Sequence, residues 1–126
     1  MLGEKLGSMT ATSVNKVLPS EGTLPKFEVT AQGSGTIVGV PIQFMGTYLT
    51  EMKADGSMYG ECPNSSILMA ADGVATLKAS GVGRTESDGS TKFGFFYIET
   101  TAPSLMSLNG KAIIQEYDVD LSLIHI

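Results

Sequence analysis

Residues 55–89 read DGSMYGECPNSSILMAADGVATLKASGVGRTESDG and contain three Asp-Gly pairs, which begin at positions 55, 72 and 88. The intervals are 17 residues (72 − 55) and 16 residues (88 − 72), and Asn109-Gly110 adds a fourth pair of similar chemistry. Glycine has no β-carbon and Asp or Asn tolerates positive φ, so each pair suits the type I′ turn of a β-hairpin. Apolar, β-branched and aromatic runs lie between the pairs. The spacing therefore predicts an antiparallel meander of long strands.

Alternating patterns on both sides of this stretch support the strands. Phe27, Val29 and Ala31 alternate with polar residues, which is typical of a half-buried strand. Pro63 cannot donate a ladder hydrogen bond and marks a bulge or an edge position. Further strands are predicted over 5–17, 42–52, 58–71, 75–80, 92–100 and 112–119, and a short helix near residues 103–108, between Pro103 and Asn109-Gly110.

The predicted strand length favours a closed sheet. Seven to eight strands of about ten residues would each be about 30 Å long. Strands of that length twist strongly, and closing the sheet removes its exposed edges. We therefore expect one all-β domain over residues 3–120, an antiparallel up-and-down barrel of seven to eight long strands with one short helix. Several strands carry apolar residues on both faces, which favours a homo-oligomer.

Composition restricts the partners that this chain is expected to bind. Its 126 residues are enough for one domain, its net charge is −5 and its pI is about 4.7. A nucleic-acid binder needs clustered Lys and Arg, whereas the eight basic residues here are scattered, so no nucleic-acid partner is expected. No apolar stretch approaches the roughly 20 residues of a membrane span, and residues 1–15 lack the apolar segment of a signal peptide. These features predict a soluble, cytoplasmic protein without a membrane partner.

The last six residues, 121–126, read LSLIHI, which is the in-frame translation of a transposase adapter common in sequencing libraries. We therefore predict a non-native tail, with the natural sequence diverging after Asp120 and the closing strand of the barrel missing. The alternative is a genuine terminal strand. His125, the single histidine, is accordingly not counted among the candidate site residues.

Several short segments of the chain resemble a known family. They are GSGT (33–36), MGTY (45–48), DGSMYGE (55–61), GVGR (81–84) and LNG (108–110). With the long strands and the late short helix, they resemble uncharacterised bacterial proteins of the allene-oxide-cyclase-like barrel group. The resemblance implies an eight-stranded antiparallel barrel with a lumen and a tendency to form oligomers. In the plant relatives, allene oxide cyclases and dirigent proteins, the lumen guides cyclisation or coupling of reactive small molecules. No catalytic residue of those enzymes matches a position here, so their activity is not carried over.

The strongest candidate for a ligand site is the aromatic strand over residues 92–100. Its period of two places Phe93, Phe95, Tyr97 and Glu99 on one face. An aromatic wall that ends in a carboxylate would bind a small, largely apolar ligand in the lumen, and desolvation would raise the pKa of that carboxyl group. The alternative is that the aromatic side chains fill the core and that Glu99 reaches solvent. The remaining predicted ligand-binding residues are Phe44 and Tyr48, from the strand over residues 42–52.

Catalytic chemistry has weaker candidates. An isomerase or cyclase would use Glu99, Tyr48 or Arg84, with the carboxyl group as acid or base. Tyr59 and Glu61 share a strand face and would form either a ligand contact or an exposed pair. Cys62 has no basic sequence neighbour to lower its pKa, which favours a buried, inert thiol.

Neither a metal nor a cofactor is predicted. A chain with one His and one Cys does not supply the usual ligand set for zinc. Gly33, Gly35 and Gly39 have the wrong spacing for a dinucleotide-binding loop, and no helix follows them. The glycines instead suit strands that bend at the corners of a barrel.

The sequence leaves three classes of function open. The first is a module that binds a small apolar molecule in the barrel lumen. The second is an enzyme of isomerase or cyclase type that uses a lumen carboxylate. The third is a filled barrel that acts through self-association. A strongly perturbed carboxyl group would favour the enzyme, and a tightly packed lumen would favour self-association.

Overall fold

The computed structural model describes the backbone of residues 3–86 and 89–119 and the side chains of residues 3–84 and 93–116. It is an all-β structure with seven antiparallel strands in one sheet, ordered as they occur in the chain. The strands are β1 (Gly7–Leu18), β2 (Lys26–Ile37), β3 (Val40–Met52), β4 (Met58–Ala70), β5 (Gly73–Glu86), β6 (Gly89–Thr100) and β7 (Ile113–Val119). The predicted all-β meander is therefore confirmed. Residues 121–126, which carry the predicted non-native tail, lie outside the described residues.

The predicted closed barrel is wrong for the described chain, because the seven strands form an open, curled half-barrel. Strand direction gives the physical reason. Each strand reverses the direction of the one before, so β1 and β7 run the same way. All the neighbouring strands are joined by antiparallel ladders, and β1 and β7 cannot form such a ladder with each other. Two edges, β1 and β7, remain.

The turns follow the glycine signals in part. The turn predicted at Asp55-Gly56 is formed, with φ of 85° at Gly56. The carboxylate of Asp55 accepts hydrogen bonds from Ser57 N at 2.9 Å and from Ser57 Oγ at 2.6 Å. The β2–β3 hairpin turns at Val38 and Gly39, with φ of 44° and 78°. The sequence predicts a turn or bulge at Gly39, but not the participation of Val38, because a β-branched residue rarely adopts positive φ. The third predicted pair begins at residue 88, outside the described residues.

The two faces of the sheet differ sharply in burial. We call the buried side the core face. Its central side chains, such as Leu68, Leu77 and Ile98, are buried, and Leu105 and Leu108 pack onto them. We call the opposite side the open face. Eight large apolar side chains on it are exposed: Val14, Met45, Leu49, Val74, Val82, Phe93, Phe95 and Ile114.

The predicted short helix is a 3-10 turn (Pro103–Leu108) and not an α-helix. Its first turn is capped from the β4–β5 loop, because Asp72 Oδ2 accepts Ser104 N–H at 2.8 Å and Oδ1 accepts Ser104 Oγ at 2.6 Å. These bonds also lower the pKa of the Asp72 carboxyl group. At the other end, Asn109 Oδ1 accepts Thr100 N–H and Asn109 Nδ2 donates to Thr100 O, both at 3.0 Å. The turn is thus tied to the sheet at both ends.

Irregularities in β4 and a row of glycines accompany the curl of the sheet. The register of β4 shifts between Cys62 and Ser66, so the bulge predicted at Pro63 is confirmed. Gly81 and Gly94 are opposite each other on the core face, and a β-carbon on either would lie 2.6 Å from a carbonyl oxygen of the facing strand. Only glycine allows this approach. Among residues 3–86 and 89–119, no helix has the length and apolar content needed to cross a bilayer.

Candidate functional site

The structure corrects the placement of the aromatic wall. Phe93, Phe95, Tyr97 and Glu99 share one face as predicted, but it is the open face. Their placement in a lumen is therefore wrong. Among the side chains of β6 that the structure describes, Phe96 and Ile98 are buried, and they pair with Ala79 and Leu77 of β5. The stronger apolar partners on β5 determine which side of β6 is buried.

Two other predicted ligand residues lie on the core face. Phe44 and Tyr48 are partly buried and pack against the core cluster. The predicted set is consequently divided between the two faces of the sheet and cannot surround one ligand. Whether any of these residues binds a ligand stays a prediction.

The three candidate catalytic residues are also far apart. Tyr48 is on the core face, whereas Glu99 and Arg84 are on the open face. Glu99 is opposite Thr76, and Arg84 is eight residues further along β5 (84 − 76), about 26 Å at roughly 3.3 Å per residue. Arg84 Nη2 instead lies 3.9 Å from Asp55 Oδ2 in an exposed pair. The three side chains therefore do not form one catalytic group.

The open face does bring four apolar side chains together, and we call them the apolar patch: Val82, Phe93, Phe95 and Ile114. Val82 is directly opposite Phe93, and Phe95 is directly opposite Ile114. Their exposed fractions are 56%, 48%, 46% and 49%, in that order. Residues opposite each other on neighbouring strands are in contact distance, so the patch is continuous across β5, β6 and β7. Single exposed apolar side chains are ordinary on a protein surface, whereas these four are grouped.

Two tyrosine–glutamate pairs flank the patch. Tyr59 Oη donates to Glu61 Oε1 at 2.5 Å on β4, and Tyr97 Oη donates to Glu99 Oε1 on β6. In each pair the hydrogen bond to the carboxylate raises the tyrosine pKa, so both hydroxyl groups stay neutral at physiological pH. Lys53 Nζ lies 5.5 Å from the centre of the Tyr59 ring. The tyrosines therefore direct their hydroxyl protons to neighbouring carboxylates within the face.

A shallow groove of about 600 Å³ lies beside the patch. It forms because β7 pairs with β6 only over residues 90–96, which leaves the end of β6 uncovered on that side. Val74, Tyr97 and Glu99 contribute to its walls, together with Asn109 from the segment after the 3-10 turn. The groove is open to solvent, and its lining mixes apolar and polar groups.

Cys62 has the buried position that the sequence favoured. Its Sγ lies 2.9 Å from Ser66 Oγ and 3.7 Å from the carbonyl oxygen of Thr47, next to the β4 bulge. The thiol thus takes part in a local hydrogen-bond network. Within the part of the chain that the structure describes, no three His, Cys, Asp or Glu side chains are grouped to hold a metal ion.

Comparisons with protein-family models, with curated proteins and with solved structures give no match for this chain. The resemblance to the allene-oxide-cyclase-like group therefore stays a prediction.

Proposed function

We propose that the protein acts through self-association, with the open face of one copy packed against the open face of a second. The observation that carries the proposal is the continuous, half-exposed apolar patch. The core of the curled sheet is filled by its own side chains, with Leu68, Ile98, Leu105 and Leu108 fully buried. Apolar surface available for binding is therefore concentrated on the opposite face.

The amount of exposed apolar surface fits a protein partner. The four side chains of the apolar patch are about half exposed, which corresponds to roughly 400 Å² of continuous apolar surface for residues of this size. A patch of about 300–600 Å² on a soluble domain is often functional, and a standard interface takes about 800 Å² from each partner, so the polar surface around the patch supplies the remainder. Small molecules prefer concave sites that bury most of their surface. The broad face of a sheet suits a second protein surface better.

The charges around the patch are compatible with a second copy. Glu61, Glu99 and Glu116 lie around it on the open face together with Lys78 and Arg84. The surround of the patch thus carries charges of both signs, whereas the chain as a whole carries a net charge of −5. Two identical copies can therefore place opposite charges against each other across this contact.

Replacing Phe95 with glutamate should remove this association. A charge at the centre of the patch would have to be desolvated against apolar side chains of the partner. Sedimentation equilibrium at up to about 1 mM chain detects associations as weak as about 4 kcal/mol. We expect the wild type to associate with increasing concentration and F95E to lose that step.

Met106→Glu is the matched control, because Met106 is equally exposed but lies on the 3-10 turn, away from the patch. It should associate as the wild type does. Equal association of F95E and the wild type, or a wild type that shows no association over this range, would contradict the proposal.

As a second candidate, the groove beside Tyr97 favours binding of a small molecule. Its volume is within the range of ligand sites, and the Tyr97–Glu99 pair offers hydrogen-bond acceptors next to apolar Val74. We expect fatty acids or terpenoid alcohols to shift the amide NMR signals of Thr76 and Asn109. At a ligand concentration of about 1 mM, binding free energies near 4 kcal/mol are detectable. Signals on β2 serve as the control. Unchanged spectra across the panel would eliminate this candidate.

A further inference from the structure

β1 is an edge strand without the usual protection. It is hydrogen-bonded to β2 without any register shift from Gly7 to Leu18, and no described strand pairs with its other side. Eleven of its 12 residues are exposed. Natural edge strands are commonly short, bulged, interrupted by proline or rich in charge. β1 has no proline and no bulge, and Lys16 is its one charged residue.

The direction of its main-chain groups is determined by the contacts with β2. Leu6 O accepts Val38 N–H at 2.7 Å, and β-carbons added to Gly33 and Gly35 would collide with the carbonyl oxygens of Thr10 and Ser8. The even-numbered residues therefore point their main-chain groups towards β2. In an antiparallel ladder this direction alternates, so the odd-numbered residues from 7 to 17 point theirs away from the sheet.

We infer that this edge binds β1 of a second copy by antiparallel main-chain pairing centred on Thr12. A two-fold axis perpendicular to the sheet relates each strand to an antiparallel copy of itself and keeps the core faces on the same side. Opposite residues in such a pair share a face, so odd residues oppose odd residues and even residues oppose even ones.

Centring on Thr12 uses all the outward-pointing main-chain groups between Gly7 and Val17. Ala11 then pairs with Ser13 of the second copy, and Met9 pairs with Asn15. On the open face Thr12 opposes Thr12 of the second copy, and threonine pairs of this kind are favourable. A shift of the centre by one residue, to Ser13, leaves Gly7 without a partner. The register with the most hydrogen bonds is therefore the one centred on Thr12.

Charge favours β1 over the other edge as the contact. In the Thr12 register Lys16 opposes Ser8, so no like charges meet. β7 is seven residues long, and its centre, Glu116, would oppose its own copy in the equivalent two-fold pairing. Like charges directly opposite each other destabilise a ladder. This inference uses main-chain groups and not the apolar patch, so it stands or fails separately from the proposed face-to-face association.

Cysteine pairs test the register directly. Thr12→Cys places two thiols opposite each other, about 5 Å apart at their β-carbons, whereas Ser8→Cys places them eight residues apart (16 − 8), at about 26 Å. Under mild oxidation we expect T12C to form a covalent dimer and S8C to remain monomeric on a non-reducing gel. Cys62 is buried and present in both variants. A T12C protein that does not cross-link, or an S8C protein that cross-links equally well, would overturn the register.

Ser13→Pro tests the pairing without a disulfide. The Ser13 N–H points away from β2, so proline removes an intermolecular donor but no bond within the sheet. In a variant that also carries F95E, which removes the face-to-face step, we expect S13P to raise the dimer dissociation constant about tenfold or more. Its circular dichroism should match that of F95E alone. Unchanged dimerisation would overturn the inference. If S13P alters the circular dichroism, the comparison of T12C with S8C cross-linking decides instead.

Discussion

Phe96→Ala is expected to lower the free energy of unfolding by about 3–5 kcal/mol, which is a large part of the stability of an ordinary domain. Phe96 is 5% exposed and packs on the core face between Ala79 and Ile113. Truncation removes the burial of an aromatic ring and leaves a cavity that the surrounding strands cannot fill. Urea denaturation followed by circular dichroism gives the midpoint and the slope needed for the comparison.

Phe95→Ala is the matched control for this result. It deletes the same side chain from the adjacent residue, which is 46% exposed on the open face. We expect a loss of about 1 kcal/mol or less, measured at low protein concentration where association does not contribute. Equal losses for the two variants, or a larger loss for F95A, would mean that the two faces of β6 are assigned the wrong way round.

Leu105→Ala is expected to cost about 2–5 kcal/mol. Leu105 is 0% exposed and anchors the 3-10 turn on the core cluster. A single 3-10 turn has poor intrinsic stability, so its position depends on this burial and on the Asp72 cap. Thermal unfolding should report the change as a lower Tm, by several degrees for each kcal/mol.

The adjacent Met106 supplies the comparison for the 3-10 turn. Its side chain is 51% exposed, so Met106→Ala should change stability by about 0.5 kcal/mol or less. A small effect of L105A, similar to that of M106A, would show that the turn is not docked on the sheet. If both variants associate as the wild type does, the 3-10 turn takes no part in the open-face contact.

Much of the architecture could be predicted from local sequence chemistry. The Asp55-Gly56 turn, the bulge at Pro63 and the alternation in β2 and β5 each reflect backbone preferences that depend on one or two residues. Closure could not be predicted in this way, because it depends on whether the first and last strands have a suitable antiparallel partner. The 3-10 conformation of residues 103–108 could not be predicted either, because the cap comes from Asp72, which is remote in the sequence.

The face of β6 was mispredicted although a signal was present. Residues 93–98 are apolar at both odd and even positions, and the larger number of aromatic residues favoured the odd ones as the interior. The alternation of β5 was clearer, with Ala75, Leu77 and Ala79 on one side. The hairpin predicted from the third Asp-Gly pair brings those positions opposite even-numbered residues of β6, and the structure shows that pairing. Combining the register of the strands with the alternation of β5 predicts that Phe93 and Phe95 are exposed, with Val82 and Ile114 as their neighbours.

The open face and the β1 edge give the chain two separate surfaces for other copies. The first depends on apolar side chains and the second on main-chain hydrogen bonds, so different substitutions disrupt them. The two contacts use different parts of the molecule and can form at the same time. The combination of F95E with S13P should therefore produce a monomer, although each substitution alone leaves one contact intact.

Hydroxyl-radical footprinting over a series of protein concentrations shows whether the open face becomes covered on association, because it reports the exposure of individual aromatic side chains. In dilute solution Phe93 and Phe95 should be oxidised readily and Phe96 should be protected. At high concentration Phe93 and Phe95 should become protected as the open faces associate, with Phe96 unchanged. Protection of Phe95 equal to that of Phe96 at the lowest concentration, or labelling of Phe93 and Phe95 that does not change with concentration, would contradict the account.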